Sequence, residues 1–184
     1  GRIEYWDNSI SVGFGGAVNL AARKLKLLRG FFLYLVAVIQ TILLRPMSFD
    51  ACYQIGEQAQ QEQTLTMLSF CNGPREGGGF PVAPGAKMDD GQITYLITQK
   101  LGRIGMLYFL PIVMSAKHLG YTRTFSIGET RRFYLETRQP VAIHVDGETF
   151  ASWEDNIRQL EVTIIPAAIK VLCCEDLRLN GQLT

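Results

Sequence analysis

The sequence predicts a mainly β (α+β) fold, an antiparallel β-sandwich-like domain with an N-terminal helical arm and one helical insert. Three observations carry this reading. Short runs rich in β-branched and aromatic residues recur from residue 48 onward, several at spacings of about ten, with turns such as GEQAQQEQ, GET and DGET between them. Residues 17–44 are dominated instead by Ala, Leu, Lys and Arg, which favour helix. A second helical stretch, 102–119, interrupts the β series.

The elements follow in order. Tyr5 to Phe14 mixes aromatic and β-branched residues and runs into the glycine-rich turn GFGG at 13–16. The arm, about 17–44, divides at Gly30, and Pro46 closes it. Strand-type runs come next at 48–55, 64–70, 93–97, 122–127, 132–136, 141–145, 160–165 and 168–173. Pro111 is expected to kink the insert. No repeat or long linker divides the chain, so residues 1–184 read as one domain.

Composition narrows the function classes. Eighteen basic and 17 acidic residues leave a net charge of +1, which offers no basic stripe for nucleic acid. Cys52, Cys71, Cys173 and Cys174 form no CxxC pair, so neither a zinc site nor a disulfide framework is indicated, and a cytoplasmic setting is expected. The polar opening GRIEYWDN carries no cleavable signal, and Gly1 in place of Met suggests a start inside a longer product. The apolar run Gly30 to Leu44 is 15 residues long, against about 20 for a membrane span. It reads as a buried or membrane-facing helix.

Four features are candidates for chemistry. The loop from Cys71 to Gly91 spans 21 residues with six glycines and three prolines, and ordered loops of that length are usually functional. Within it, Gly77, Gly78 and Gly79 allow positive φ or close approach to a ligand, although no GK[ST] follows them. Asp89 and Asp90 in KMDDG suit either a solvated turn or a hard divalent cation. The segment IHVDGETF, 143–150, is a hairpin signal, with Asp146-Gly147 as a type I′ turn and Glu148 as either an exposed carboxylate or a rigidly held general base. His118 and His144 are too far apart in sequence to suggest a metal pair, and Ser115 and Ser126 lie in no nucleophile elbow.

Taken together and in order, GGGF at 77–80, Pro84, DDG at 89–91, Lys117-His118, DGE at 146–148 and IIPAAIKVL at 164–172 resemble the C-terminal domain of the diacylglycerol, sphingosine and ceramide kinase superfamily. Asn8, GFGG and LRGFFLYL extend the resemblance over nearly the whole chain. It implies a two-domain, ATP-dependent lipid kinase with catalysis between a nucleotide-binding half and this β-rich half. The nucleotide half carries a GGDGT loop that does not occur in this sequence. The isolated chain is therefore expected to be inactive and to grip ATP poorly.

Residue by residue, the resemblance makes Glu148 the general base on a diacylglycerol-like or sphingoid hydroxyl. Asp146 and Gly147 shape its hairpin near the nucleotide. It assigns Mg²⁺ to Asp90 with the main-chain oxygens of Lys87 and Gln92, and Asp89 beside them. The implied partners are a lipid substrate, a peripheral membrane contact and, for the lone domain, a second copy of itself. The competing reading is a non-catalytic β-sandwich that binds a lipid or a protein.

Overall fold

The computed structural model describes residues 2–25, 29–45 and 48–170. Nine strands and three helices occur among them, in the order β1 (Ser9–Gly13), α1 (Phe14–Ala22), α2 (Gly30–Leu44), β2 (Phe49–Ile55), β3 (Gln61–Cys71), β4 (Ile93–Gln99), α3 (Arg103–Met114), β5 (Phe125–Thr130), β6 (Arg132–Thr137), β7 (Ile143–Val145), β8 (Glu148–Ala151) and β9 (Gln159–Thr163). All strand pairs are antiparallel. The mainly β, sandwich-like reading holds, with one sheet curled on itself as a half-barrel rather than two separate sheets.

The curl originates in β3. At 11 residues it is long enough to serve three neighbours: β2 pairs with 61–65, β1 with 67–71, and β4 with 65–71. A register shift between Leu65 and Met67 marks a bulge, which bends a strand and increases its twist. The extra residue, Thr66, is buried, and its hydroxyl accepts the Leu101 N–H at 2.8 Å. From β3 the sheet continues as β1–β7–β8 in one direction and β2–β6–β9 in another, while β4–β5 takes the remaining edge.

Two apolar cores result. Inside the curl, the alternate residues Phe49, Ala51, Tyr53 and Ile55 of β2 point inward, as a period-two pattern requires. Phe133 lies at the centre of this core, its ring 4.9 Å from Phe70 and 5.6 Å from both Tyr53 and Tyr95. The second core lies between the other face of the sheet and the helices. Val18, Ala37, Ile42, Leu96, Met106 and Phe125 belong to it.

Several boundaries depart from expectation. The first strand covers only Ser9–Gly13, because Gly13 adopts φ 80° and turns the chain directly into α1, so Phe14, Gly15 and Gly16 are helical. The arm does break before Gly30. The third helix runs through Pro111 and stops at Met114; Ala116 then takes φ 57° and reverses the chain. Residues 122–124 form a turn, and β5 starts at Phe125. No strand occupies 168–170, while residues 171–173 of that expected strand, Pro46, Cys173 and Cys174 lie outside the described residues. Cys52 and Cys71 are free thiols. No described helix is long and apolar enough to cross a membrane.

Candidate functional site

The Asp146-Gly147 turn forms as its residue types demand. Both residues take positive φ, 49° and 83°, the signature of a type I′ hairpin between β7 and β8. Asp146 does more than shape the turn. Its two carboxylate oxygens accept the backbone N–H groups of Asp7, Asn8 and Ser9 at 2.8–2.9 Å, which fixes the chain leading into β1. Glu148 opens β8 and pairs with Val145 in the ladder, so its backbone is held while its side chain is 84% exposed. Arg23, just past the end of α1, meets that carboxylate at 3.2 Å and also reaches the Thr149 hydroxyl.

The helix α1 clamps the hairpin. Asn19, a polar residue buried in an otherwise apolar helix, donates its side-chain amide to the Gly147 carbonyl and accepts from the Thr149 hydroxyl at 2.9 Å. A buried amide needs such partners, because leaving it unpaired costs about 1–3 kcal/mol. Sequence reasoning missed Asn19 and Arg23. The one available signal was an asparagine in the middle of FGGAVNLAA.

The glycine run makes a second clamp. Glu76 and Phe80 exchange backbone hydrogen bonds at 2.9 and 2.8 Å, and Gly77, Gly78 and Gly79 close the loop between them with φ of 41°, 74° and 104°. What approaches this backbone closely is the ring of Tyr34 from α2. A Cβ on Gly78 would lie 2.8 Å from it. Arg75 donates to the Gly79 carbonyl at 2.9 Å, and the Asn8 amide donates to the Arg75 carbonyl at 3.2 Å. The loop thereby turns the Glu76 side chain inward.

There Glu76 meets His144 of β7, Oε1 to Nε2 at 2.6 Å, with both side chains more than nine-tenths buried. These residues are 68 apart in sequence, and no motif links them. Both line an apolar cavity of about 140 Å³ between the sheet and the three helices, whose walls include Val18, Tyr34, Val38, Met106, Phe109 and Phe125. Tyr34 and Gly147 also border it, so the cavity reaches the hairpin that carries Glu148. Burial is the main cause that raises the Tyr34 phenol above its usual pKa, followed by the charges of Glu148 and Glu76.

The Asp89–Asp90 turn lies apart from this assembly, exposed at the far end of the long loop. Asp90 Oδ1 accepts the Gln92 N–H at 2.8 Å, and Gly91 takes φ 67°. One carboxylate oxygen thus caps the turn. No group of three or more His, Cys, Asp or Glu side chains able to hold a metal occurs among the described residues. The remaining histidine, His118, is fully buried, and its Nε2 sits 3.0 Å from the Val82 carbonyl. Burial lowers its pKa against the raising effect of that bond, which keeps it neutral at pH 7. It is a core residue.

Comparison with known proteins gives a consistent picture. Residues 8–173 match the family described as the YegS C-terminal NAD kinase beta sandwich-like domain. The diacylglycerol kinase of Mycobacterium tuberculosis is 25% identical over 173 residues, covering 92% of this chain and 53% of that protein. A protein of Yersinia enterocolitica named "Probable lipid kinase YegS-like" is 25% identical over 174 residues, 90% of this chain and 52% of its own. A crystal structure from Bacillus anthracis str. Sterne shares the fold with a TM-score of 0.59 at 14% identity, over 88% of this chain and 50% of that one. The chain spans about half the length of the curated relatives it matches.

Proposed function

We propose that this chain, which belongs to the YegS C-terminal family of NAD kinase β-sandwich-like domains, is the acceptor-side half of an ATP-dependent lipid kinase. The observation that carries the reading is the juxtaposition of a rigidly held, solvent-facing Glu148 with an apolar cavity bordered by the same hairpin. The acceptor's chain lies in the cavity, and its hydroxyl emerges beside Glu148. Glu148 takes the hydroxyl proton as the oxygen attacks the γ-phosphate, and Arg23 holds the carboxylate in place. Asn19 and Asp146 fix the hairpin against α1 and β1, which limits misplacement of the base. A non-catalytic lipid- or protein-binding module would use the same cavity but would leave Glu148 without a role.

The phosphates of ATP are assigned to another segment of the full-length protein, because Tyr34 packs over Gly77 and Gly78 of the glycine run. The outer faces of α2 and α3 suit a bilayer. Phe32, Leu44 and Ile104 are 68%, 67% and 86% exposed, and Arg29 and Arg103 flank them as cations for anionic headgroups, while Arg45 lies over the Trp153 ring. The inner faces of the same helices line the cavity, so a lipid passes from bilayer to cavity around one pair of helices.

The full-length protein supplied with MgATP and vesicles carrying a diacylglycerol or a sphingoid base is expected to move the γ-phosphate label into the lipid phase. The 184-residue chain alone is expected to transfer none. Label confined to the aqueous phase with both acceptors would sink the kinase reading.

Mg²⁺ is assigned to the 87–92 turn, where Asp90 and the Lys87 and Gln92 carbonyls would hold it as a hard cation, with Asp89 adjacent. Bound there, it would cross-link the long loop and take no part in transfer. Millimolar Mg²⁺ is expected to raise the thermal midpoint of the full-length protein by a degree or two, on the order of 0.5 kcal/mol. Asp90→Ala should abolish that shift; a variant that keeps it places the ion elsewhere.

A further inference from the structure

Six side chains with polar tips stand in the wall of the otherwise apolar cavity: Asn19, Tyr34, Thr66, Glu76, Thr98 and His144. Four of them are engaged. Asn19 meets Gly147 and Thr149, Thr66 accepts the Leu101 N–H, and Glu76 and His144 meet each other. The Thr98 hydroxyl has no partner among the described residues, but it is sealed from solvent, as are Glu76 Oε2 and His144 Nδ1. Tyr34 differs from all five. Its hydroxyl also makes no hydrogen bond among the described residues, yet it is not one of the sealed atoms, and the residue is only half-buried. A tyrosine packed by its ring and left free at its tip is suited to meet a ligand's polar end.

Packing fixes where that tip lies. The ring rests on the glycine loop, where a Cβ on Gly77 or Gly78 would come within 3.3 or 2.8 Å of it. The hydroxyl then reaches to 3.8 Å from the place a Cβ on Gly147 would occupy, beside the turn that leads into Glu148. Along α2, Val38 and Ile42 follow Tyr34 at helical spacing, and all three line the cavity. An apolar chain lying on Val38 and Ile42 therefore meets the Tyr34 hydroxyl at the hairpin end of that stripe. Burial, followed by the charges of Glu148 and Glu76, raises the phenol above its usual pKa, so it keeps its proton at pH 7 and can donate it to a hydrogen bond.

We propose that the Tyr34 hydroxyl binds the hydroxyl of the acceptor lipid at the edge of the cavity and presents it to Glu148. The inference rests on the lipid kinase reading, yet the contact can be measured without ATP. The lipid oxygen carries one proton and two lone pairs. Its proton goes to Glu148, one lone pair accepts from Tyr34, and the other attacks the γ-phosphorus. Tyr34 neither gains nor loses a proton, so its part is to orient the oxygen.

The test is Tyr34→Phe in the full-length protein, which removes one oxygen and keeps the ring on Gly78, so the thermal midpoint should not move. Calorimetric titration without nucleotide compares 1-octanol with 1-chlorooctane, which share a chain although only the alcohol forms a strong hydrogen bond. The variant is expected to weaken octanol binding about three- to tenfold and to leave 1-chlorooctane within about twofold. With MgATP and vesicles carrying a diacylglycerol or a sphingoid base, kcat/KM for the lipid should fall by about tenfold or more, while KM for ATP stays within about twofold. A tyrosine that only supports the wall would weaken both octyl ligands alike, and that result overturns the proposal. So does an unaltered protein that binds no octanol, a variant that binds it undiminished, or a variant with undiminished kcat/KM for its lipid. If no lipid is phosphorylated but Tyr34→Phe selectively weakens octanol, the hydroxyl contact stands and the kinase reading fails. If the variant phosphorylates lipid as well as the unaltered protein does, the kinase reading stands and the contact fails.

Discussion

Glu148→Gln in the full-length protein is expected to lower kcat on the lipid acceptor by about two to four decades, the range for loss of a positioned general base. Glutamine keeps the length and planarity of the side chain and can still meet Arg23 through its oxygen, but it cannot take a proton from an attacking hydroxyl. The side chain is exposed and contributes to no core, so the thermal midpoint should move little; exposed ion pairs contribute about 1 kcal/mol or less. KM for ATP should stay within about twofold if Glu148 acts only as a base. A parallel rise in KM for ATP would mean that the carboxylate also orients the nucleotide. Near-unaltered kcat with the true acceptor would remove Glu148 from the chemistry, and the clamp of Asn19 and Asp146 would then need another purpose.

The contrast between Glu148 and the Glu76–His144 pair shows what the sequence could and could not reveal. Asp-Gly between alternating residues has few stable conformations, so IHVDGETF was readable as a hairpin and Glu148 as its held carboxylate. The three glycines were readable as positive-φ backbone, and each has positive φ. Their packing partner was not readable, because Tyr34 reaches them from a helix some 43 residues earlier in sequence. The buried pair follows the same rule. Nothing in the sequence ties Glu76 to His144; only the pairing of β1 with both β3 and β7 brings them together. Strand interiors were legible by alternation, whereas ends were not. Gly13 shows why: the turn from β1 to α1 is made at that one residue, and the GFGG run at 13–16 does not tell which of its glycines turns the chain.

A single methyl group on α1 should test how closely the site depends on that helix. The backbone of α1 crosses the entrance to β7 at Gly16, where a Cβ would sit 2.3 Å from the Ala142 carbonyl oxygen and 2.7 Å from the Ile143 nitrogen. Both neighbours are main chain, so no rotamer change relieves the contact, and the helix must lift by about 1 Å to reach ordinary packing distance. Gly16→Ala is expected to cost about 1–3 kcal/mol from overpacking, even though alanine is the better helix former by up to about 1 kcal/mol. For a chain of this size the thermal midpoint should fall by roughly 2–4 °C per kcal/mol. The same displacement draws Asn19 away from Gly147 and Thr149 and Arg23 away from Glu148, so kcat should fall as well, by about tenfold or more, with no change to any group that touches substrate. Gly105→Ala on α3 is the control. There the new methyl meets only the flexible end of Leu101 at 3.3 Å, and helix propensity should leave stability level or slightly raised. A Gly16→Ala protein as stable and as active as the Gly105→Ala control would show that α1 neither packs as tightly as its glycine indicates nor governs the hairpin that carries Glu148.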